Sequence, residues 1–196
     1  MEIIDEKTRC AWVTKNPIYL RYHDEEWGVP IHDDHRLFES LILDGMQAGL
    51  SWLTILRKRD NFRRAFSGFS PEKIAGFGED HIQRLLSDPG IIRNRRKIEA
   101  AIVNAHAFLK VRSDGTTFDT FIWQFAPGPP SRNDWKTDAE IPTQTTESRT
   151  MSQALRSRGF KFVGPTICYA FMQAVGMVND HIVDCFRYRE VEALRR

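Results

Sequence analysis

Leu43-Asp44-Gly45-Met46-Gln47-Ala48-Gly49-Leu50-Ser51-Trp52 is the stretch on which the chain turns. An apolar helical pattern runs into it, with Leu37, Phe38, Leu41 and Ile42 on one side at helical spacing. A second pattern leaves it through Leu53, Ile55 and Leu56. Glycine in a helix interior costs roughly 1 kcal/mol against alanine, so Gly45 and Gly49 predict a break or a close backbone approach. A break brings Asp44 and Trp52 together at a helix junction. A carboxylate beside a large aromatic face can bind a flat, cationic or hydrogen-bonding group. The plainer alternative is a helix–helix turn with a core tryptophan.

Outward from this stretch the periodicity stays helical. Asp33-Asp34 supplies a cap and a favourable charge for the incoming helix. The outgoing helix, through Phe62, Ala65 and Phe66, ends near Gly68, and Ser70-Pro71-Glu72 opens a short one. Ile82, Leu85 and Leu86 mark another, and Ile98, Ala101, Ile102, Ala105, Phe108 and Leu109 line one face of a long helix. Phe118, Phe121, Ile122 and Phe125 give a further helical signature. Residues 126–147, rich in Pro, Gly and Thr, read as a long surface loop. Ser148 caps a helix that stops at Gly159, and Gly164-Pro165 starts an apolar helix that Gly176 ends. With no repeat and no multi-strand pattern, the expected fold class is all-α.

A chain of 196 residues builds one ordinary domain or two small lobes. Its 41% apolar and 28% charged residues are normal for a globular protein. No run of 18 apolar residues suggests a membrane span, and the acidic start, Met1 to Lys7, lacks a signal-peptide core, so the expected location is cytoplasmic. A net charge of +2 is too small to establish a nucleic-acid partner. The basic residues are nonetheless clustered, at Arg57-Lys58-Arg59, Arg63-Arg64, Arg93, Arg95-Arg96-Lys97, and Arg156, Arg158 and Lys161. Such clusters can neutralise phosphates, although each alone also reads as a solvated helix face. Ser87-Asp88-Pro89-Gly90-Ile91-Ile92-Arg93 joins two helical patterns through a glycine-bearing hairpin. Its amides and the following helix N-terminus can face a backbone phosphate, yet such connections are common in any helical protein.

Two chemical clusters lie at the ends of the chain. Residues 8–30 gather Cys10, Trp12, Tyr19, Tyr22, His23 and Trp27 with little apolar periodicity. They read either as ordinary packing or as an aromatic pocket wall folded over the Asp44–Trp52 junction. Near the other end, His181 and Cys185 stand four apart after Asn179-Asp180, on one face of an expected short helix. Each can give a ligand to zinc, with Cys10 and His23 as the obvious supply of two more. On spacing alone this signal is weak, because no C-x-x-C is present and a His and a Cys on a helix are more often buried or incidental. Three cysteines cannot form a disulfide framework, and Cys168, in an apolar helix, reads as a small core residue.

Together these residues carry a family resemblance. Arg9-Cys10-Ala11-Trp12, Tyr22 through Trp27-Gly28-Val29-Pro30, Gln47 through Trp52, Gly90-Ile91-Ile92-Arg93, Arg158 through Gly164, and Thr166 through Tyr169 on to Val178-Asn179-Asp180-His181 resemble the bacterial DNA-3-methyladenine glycosylase I family. The match runs from about residue 9 to 186. It implies a single glycosylase unit over 1–196, with two helical lobes and a helix-hairpin-helix fold. One structural zinc per chain, on Cys10, His23, His181 and Cys185, would staple the N- and C-terminal segments.

The resemblance further implies a base-excision-repair enzyme that flips 3-methyladenine out of alkylated double-stranded DNA and hydrolyses it free, without lyase activity. Asp44, Tyr22 and Trp52 would be catalytic, and Trp12, Tyr19 and Trp27 would complete the base pocket. Gly49 and Leu50 would form the wedge that enters the duplex, and Gly90 and Arg93 would grip phosphate. The expected enzyme is a nucleoid-associated monomer with no organic cofactor and no membrane contact. In two places the chain departs from the family: Asp44 stands where glutamate is usual, and Met46 where glutamine is common, which is expected to remove a polar contact. A zinc-stapled protein that binds alkylated DNA without turnover is the alternative.

Overall fold

The described residues of the computed structural model are 7–128 and 133–194. The acidic stretch before residue 7 and residues 129–132 of the expected surface loop lie outside them. Every regular element among the described residues is helical. In chain order these are α1 (Pro17–Glu25), α2 (Asp34–Gln47), α3 (Trp52–Ala65), α4 (Pro71–Ala75), α5 (Glu79–Ser87), α6 (Arg95–Ser113), α7 (Phe118–Trp123), α8 (Thr146–Ser157), α9 (Pro165–Ala174) and α10 (Phe186–Leu194). Helix α2 is central. Its Leu37, Phe38, Leu41, Ile42 and Met46 are each at most 3% exposed, and it packs on α3, α6, α7 and α9. Phenylalanines of the surrounding elements, including Phe62, Phe66, Phe108, Phe118 and Phe171, complete the core.

Helix starts follow local chemistry. Asp33, Ser51, Ser70, Asn94, Thr117 and Thr145 each accept the backbone N–H three residues on, a cap worth about 1 kcal/mol. The cap of α8 is therefore Thr145 and not Ser148. Ser148 is the third residue of that helix, and its hydroxyl accepts the Thr145 N–H at 2.9 Å, closing a reciprocal box. Asp34 acts at a distance: its carboxylate accepts the N–H groups of Phe118 (3.1 Å) and Asp119 (2.7 Å), pinning the start of α7 onto α2.

The expected break is at one glycine only. Helix α2 runs unbroken through Gly45, and the turn to α3 is made at Gly49, whose φ is +77°. Lys97, on α6, holds this turn. Its ammonium donates to the carbonyls of Met46 at 2.8 Å and Ala48 at 2.6 Å, which lie at the negative end of α2. Lys97 is thus a buried cap and does not face phosphate, which corrects its reading as part of a basic cluster. Arg95 is likewise engaged, with Glu79 and Glu99, whereas Arg93 and Arg96 are exposed and form no ion pair among the described residues.

Residues 88–94 connect α5 to α6. Asp88 accepts the Gly90 N–H at 2.7 Å, while Lys58 and Asn61 of α3 donate to the carbonyls of Pro89 (2.8 Å) and Gly90 (3.2 Å). A Cβ on Gly90 would lie 2.8 Å from the Asp88 carboxylate and 3.1 Å from Asn61, so any larger residue here would have to displace those side chains. At the other end of the molecule, the chain leaving α1 crosses the end of α9. Gly28 N–H donates to Gln173 O at 3.2 Å and Ile31 N–H to Val175 O at 3.1 Å. Gly176, at φ +76°, lies beneath that crossing.

Candidate active site and metal centre

Asn16 caps α1 and Pro17 starts it, which sets Tyr19, Tyr22 and His23 on one helical face. Trp12 precedes that helix and Trp27 follows it. Against them stand Asp44 from the last turns of α2 and Trp52 from the first turn of α3. All six expected pocket residues (Trp12, Tyr19, Tyr22, Trp27, Asp44 and Trp52) line one cavity of about 450 Å³. Trp12 meets Tyr19 and Trp27 edge-on, at centroid distances of 5.5 and 5.0 Å, and Tyr22 leans on Trp52 at 5.4 Å.

The rest of the wall was not legible in the sequence. Thr166, Tyr169, Ala170, Gln173 and Ala174 present one face of α9 to the cavity. The signal lay in the spacing of Thr166, Tyr169 and Gln173, a polar stripe in an otherwise apolar helix. Asp138, Ile141, Pro142 and Thr143 also line it, so this part of the expected surface loop is pocket wall. Met46 does not reach the cavity. It is 1% exposed in the core, and the neighbouring amide that does line the cavity is Gln47. The expected loss of a polar contact at Met46 is therefore not found.

Three polar atoms of the wall are buried with no hydrogen-bond partner among the described residues: Asp44 Oδ2, Trp52 Nε1 and Asp138 Oδ1. Each unpaired buried group costs about 1–3 kcal/mol, and native structures keep few of them. Burial pushes the Asp44 carboxyl well above the usual carboxylate range. Burial, and then the charges of Asp44 and Glu26, push the Tyr22 phenol well up, so it remains an O–H donor at neutral pH. The cavity thus offers aromatic faces, a donor and unsatisfied acceptors to a flat polar guest.

Behind the aromatic wall, Cys10, His23, His181 and Cys185 are all buried, with their ligand atoms within 4.8 Å of one another. Cys185 Sγ is 3.5 Å from both His23 Nε2 and His181 Nδ1, and Cys10 Sγ is 3.7 Å from His181 Nδ1. The other nitrogen of each ring is engaged outside the cluster. His23 Nδ1 meets Asp24 Oδ1 at 2.8 Å, and His181 Nε2 meets Trp27 O at 3.1 Å. Arg9 grips Asp24 with Nη2 at 2.7 Å and Nε at 2.9 Å. Burial raises the Asp24 carboxyl, but Arg9 and His23 together hold it below its ordinary value. Both rings are therefore oriented with one nitrogen inward, as metal-ligating histidines are. Between the sulfurs, the hydrogen bond from Cys10 and those from His181 and His23 draw the Cys185 thiol well below its ordinary value, while the same bond and burial push Cys10 up. The four side chains could hold a metal ion. His181 and Cys185 are brought together by a turn, with Cys185 N–H donating to Ile182 O at 2.8 Å, and not by a helix, since α10 begins at Phe186. Cys168 stands apart in the core, its S–H on Val163 O and its pKa pushed up to about 12 by burial.

Cluster and cavity are wired together. Trp27 belongs to the cavity wall and also supplies the carbonyl for His181. Asp180, beside His181, is 1% exposed. Its Oδ2 accepts from Tyr169 and Gln173 of the wall, each at 2.7 Å, and its Oδ1 accepts from Asn133 (2.6 Å) and Trp135 (2.8 Å). The remaining expected residues lie outside the cavity. Gly49 and Leu50 form the turn between the lining residues Gln47 and Trp52, with Leu50 40% exposed. Gly90 and Arg93 lie on the α5–α6 connection.

The sequence matches the Methyladenine glycosylase family over residues 12–188. It is 52% identical over 180 residues to DNA-3-methyladenine glycosylase 1 of Escherichia coli (strain K12), covering 92% of this chain and 96% of that protein. A crystal structure of 3-methyladenine DNA glycosylase I aligns with a TM-score of 0.89 at 51% identity, covering 91% of this chain and 98% of the other. A point variant of 3-methyladenine DNA glycosylase I in complex with 3-methyladenine aligns with a TM-score of 0.86 at 37% identity, covering 91% and 96%.

Proposed function

Because the chain belongs to the methyladenine glycosylase family, we propose that it is a base-excision-repair enzyme that extrudes 3-methyladenine from alkylated duplex DNA and hydrolyses its N-glycosidic bond. The observation that carries this reading is the aromatic cavity with the buried, unpaired oxygen of Asp44 in its wall. Methylation at N3 puts positive charge on adenine and weakens the glycosidic bond, so the leaving base needs little protonation. Extrusion, exclusion of solvent and orientation of a water then account for much of the rate. Trp52 stacks on the base, a cation–π contact worth about 0.5–2 kcal/mol, and Trp12, Tyr19 and Trp27 close the pocket around it. Asp44 accepts hydrogen bonds from the base edge and favours its cationic form. Tyr22 donates across the pocket.

Flipping costs a few kcal/mol, which Leu50 offsets in part by filling the vacated stack. Gly49 takes the left-handed φ of +77° that this turn uses, and open space lies where its Cβ would be. The α5–α6 connection acts as the phosphate-gripping hairpin of a helix-hairpin-helix fold, with Gly90, its N–H held by Asp88, shaping the turn and the exposed Arg93 supplying the charge. The cavity-lining residues include no lysine for Schiff-base chemistry, which supports a monofunctional enzyme. The chain works as a monomeric single unit at the nucleoid. The test is incubation with methylated duplex. Free 3-methyladenine is expected, with no strand cleavage before alkali and no borohydride-trapped adduct. Tight binding to the duplex with no released base would mark the protein as a binder without turnover.

The four-residue cluster fits zinc. Two thiolates and two imidazoles are its preferred donors, and a tetrahedral zinc site with bonds of 2.0–2.3 Å has ligand–ligand edges of roughly 3.6 Å; three of the sulfur–nitrogen separations are 3.5–3.7 Å, and all four ligand atoms lie within 4.8 Å of one another. With four protein ligands and no open position, the metal supplies stability and does not activate water. Elemental analysis is expected to give about one zinc per chain. Chelation is expected to lower the melting temperature steeply, with base release persisting in whatever metal-free protein stays folded. Folded, unchelated protein without metal would remove the assignment.

A further inference from the structure

We propose that Asp138 is a second recognition carboxylate of the base cavity, accepting a hydrogen bond from the cationic purine through its free Oδ1. This rests on the base-pocket reading above and extends it. Asp138 opens a short 3-10 turn, residues 138–140, in the segment between α7 and α8. Its Oδ2 accepts the backbone N–H of Trp12 at 2.8 Å, which fixes the carboxylate. The residue lines the cavity with Asp44, and its Oδ1 is buried with no partner among the described residues. The segment is itself held in place, upstream by Asn133 and Trp135 on Asp180 and locally by the Lys136 N–H on Glu140 at 2.9 Å.

The composition of the wall decides what this oxygen awaits. The lining residues include two carboxylates, Asp44 and Asp138, and no lysine, arginine or histidine. Two carboxylates in one largely aromatic enclosure suit a guest that brings hydrogen-bond donors and positive charge. A purine carrying a positive charge, an exocyclic amine and polar ring edges satisfies both, since an ionised acceptor makes a short and strong bond to an N–H. A neutral purine offers the two acids donors but no compensating charge. Asp44 comes from α2 and Asp138 from a segment distant in sequence, so the two carboxylates approach the base from different parts of the wall. Asp138 is thereby a specificity residue for cationic alkylpurines.

Asp138→Asn separates the two oxygens, for the amide oxygen still accepts from Trp12 while an NH2 replaces the free acceptor. Asp138→Ser is a second variant, shorter and uncharged. Each would be compared with the native chain in two assays: quenching of tryptophan fluorescence by free 3-methyladenine, with adenine as the neutral control, and single-turnover release of 3-methyladenine from methylated duplex. Melting temperature and bound metal would be measured alongside. The expected result is a loss of about 10- to 100-fold in 3-methyladenine affinity and in release for Asp138→Asn, the effect of removing one charged hydrogen bond. Adenine binding, duplex binding, melting temperature and metal content are expected to stay unchanged. If Asp138→Asn and Asp138→Ser bind and release 3-methyladenine within twofold of the native chain, Asp138 has no recognition role. If the native chain itself neither binds nor releases 3-methyladenine, the base-pocket reading fails, and this one with it.

Discussion

Asp44→Asn is expected to lower base release from methylated duplex by about 100-fold, the effect of removing one preorganised charge-stabilising group, and to raise the stability of the fold. Both effects have one cause. The carboxyl is 2% exposed with an unpaired oxygen, so burial holds its pKa well above the unfolded value. The native state therefore binds this proton more tightly than the unfolded chain does. Stability from this group is complete below the ordinary carboxylate pKa, roughly 4, and is lost as pH rises from there through the raised native value. Asparagine has no such titration. The stability difference should close in acid and widen to about 1–3 kcal/mol at neutral pH and above. Denaturant melts of both proteins across pH check the second effect, and single-turnover release checks the first. A native-like release rate in Asp44→Asn would remove Asp44 from the chemistry. Asp44→Glu lengthens the arm by about 1.5 Å and keeps the acceptor. If the native chain releases nothing and Asp44→Glu does, aspartate at this position abolished turnover.

Gly176→Ala is expected to destabilise the protein by about 3–5 kcal/mol, a drop of roughly 10–15 °C in melting temperature for a chain of this size. The reason is backbone against backbone. A Cβ at this position would lie 2.5 Å from the nitrogen of Pro30 and 2.6 Å from the carbonyl groups of Gly28 and Val29, and the φ of +76° is itself unfavourable for alanine. None of those atoms can rotate away as a side-chain tip would. Relief requires lifting residues 28–31 off the end of α9, which breaks the Gly28–Gln173 and Ile31–Val175 hydrogen bonds. Trp27 moves with that segment, so the damage reaches both the cavity and the metal cluster. Melting within 2 °C of the native chain would show that the crossing yields more easily than its geometry implies.

The helices were legible because their causes are local. Asp33, Ser70 and the phenylalanine spacing of α7 act through neighbours three or four residues away. The six pocket residues and the four-residue cluster were found through chemical type and family resemblance, and they converge as expected. What escaped was set by tertiary contact. Gly45 and Gly49 look alike in sequence, but only Gly49 has a left-handed φ. Lys97 sits in a basic run, yet its ammonium belongs to two carbonyls of another helix. Asp138 lies in a segment whose Pro, Gly and Thr content signals solvent, and only its contact with Trp12 reveals that it faces inward. The turn at 181–185 passed for a helix because a spacing of four suits both.

The metal cluster also has a consequence in time. Cys10 and His181 are 171 residues apart, roughly 10–30 s of ribosome work at about 5–20 residues per second. Helices α1 to α9 are synthesised before the third and fourth ligands exist. An ion held by all four cannot start the folding of the growing polypeptide; it can only lock a finished one. A transcript cut short before His181 yields a protein that never locks, and its loose aromatic wall is exposed to proteases. With an ion bound, the site would tie durability in the cell to completed translation.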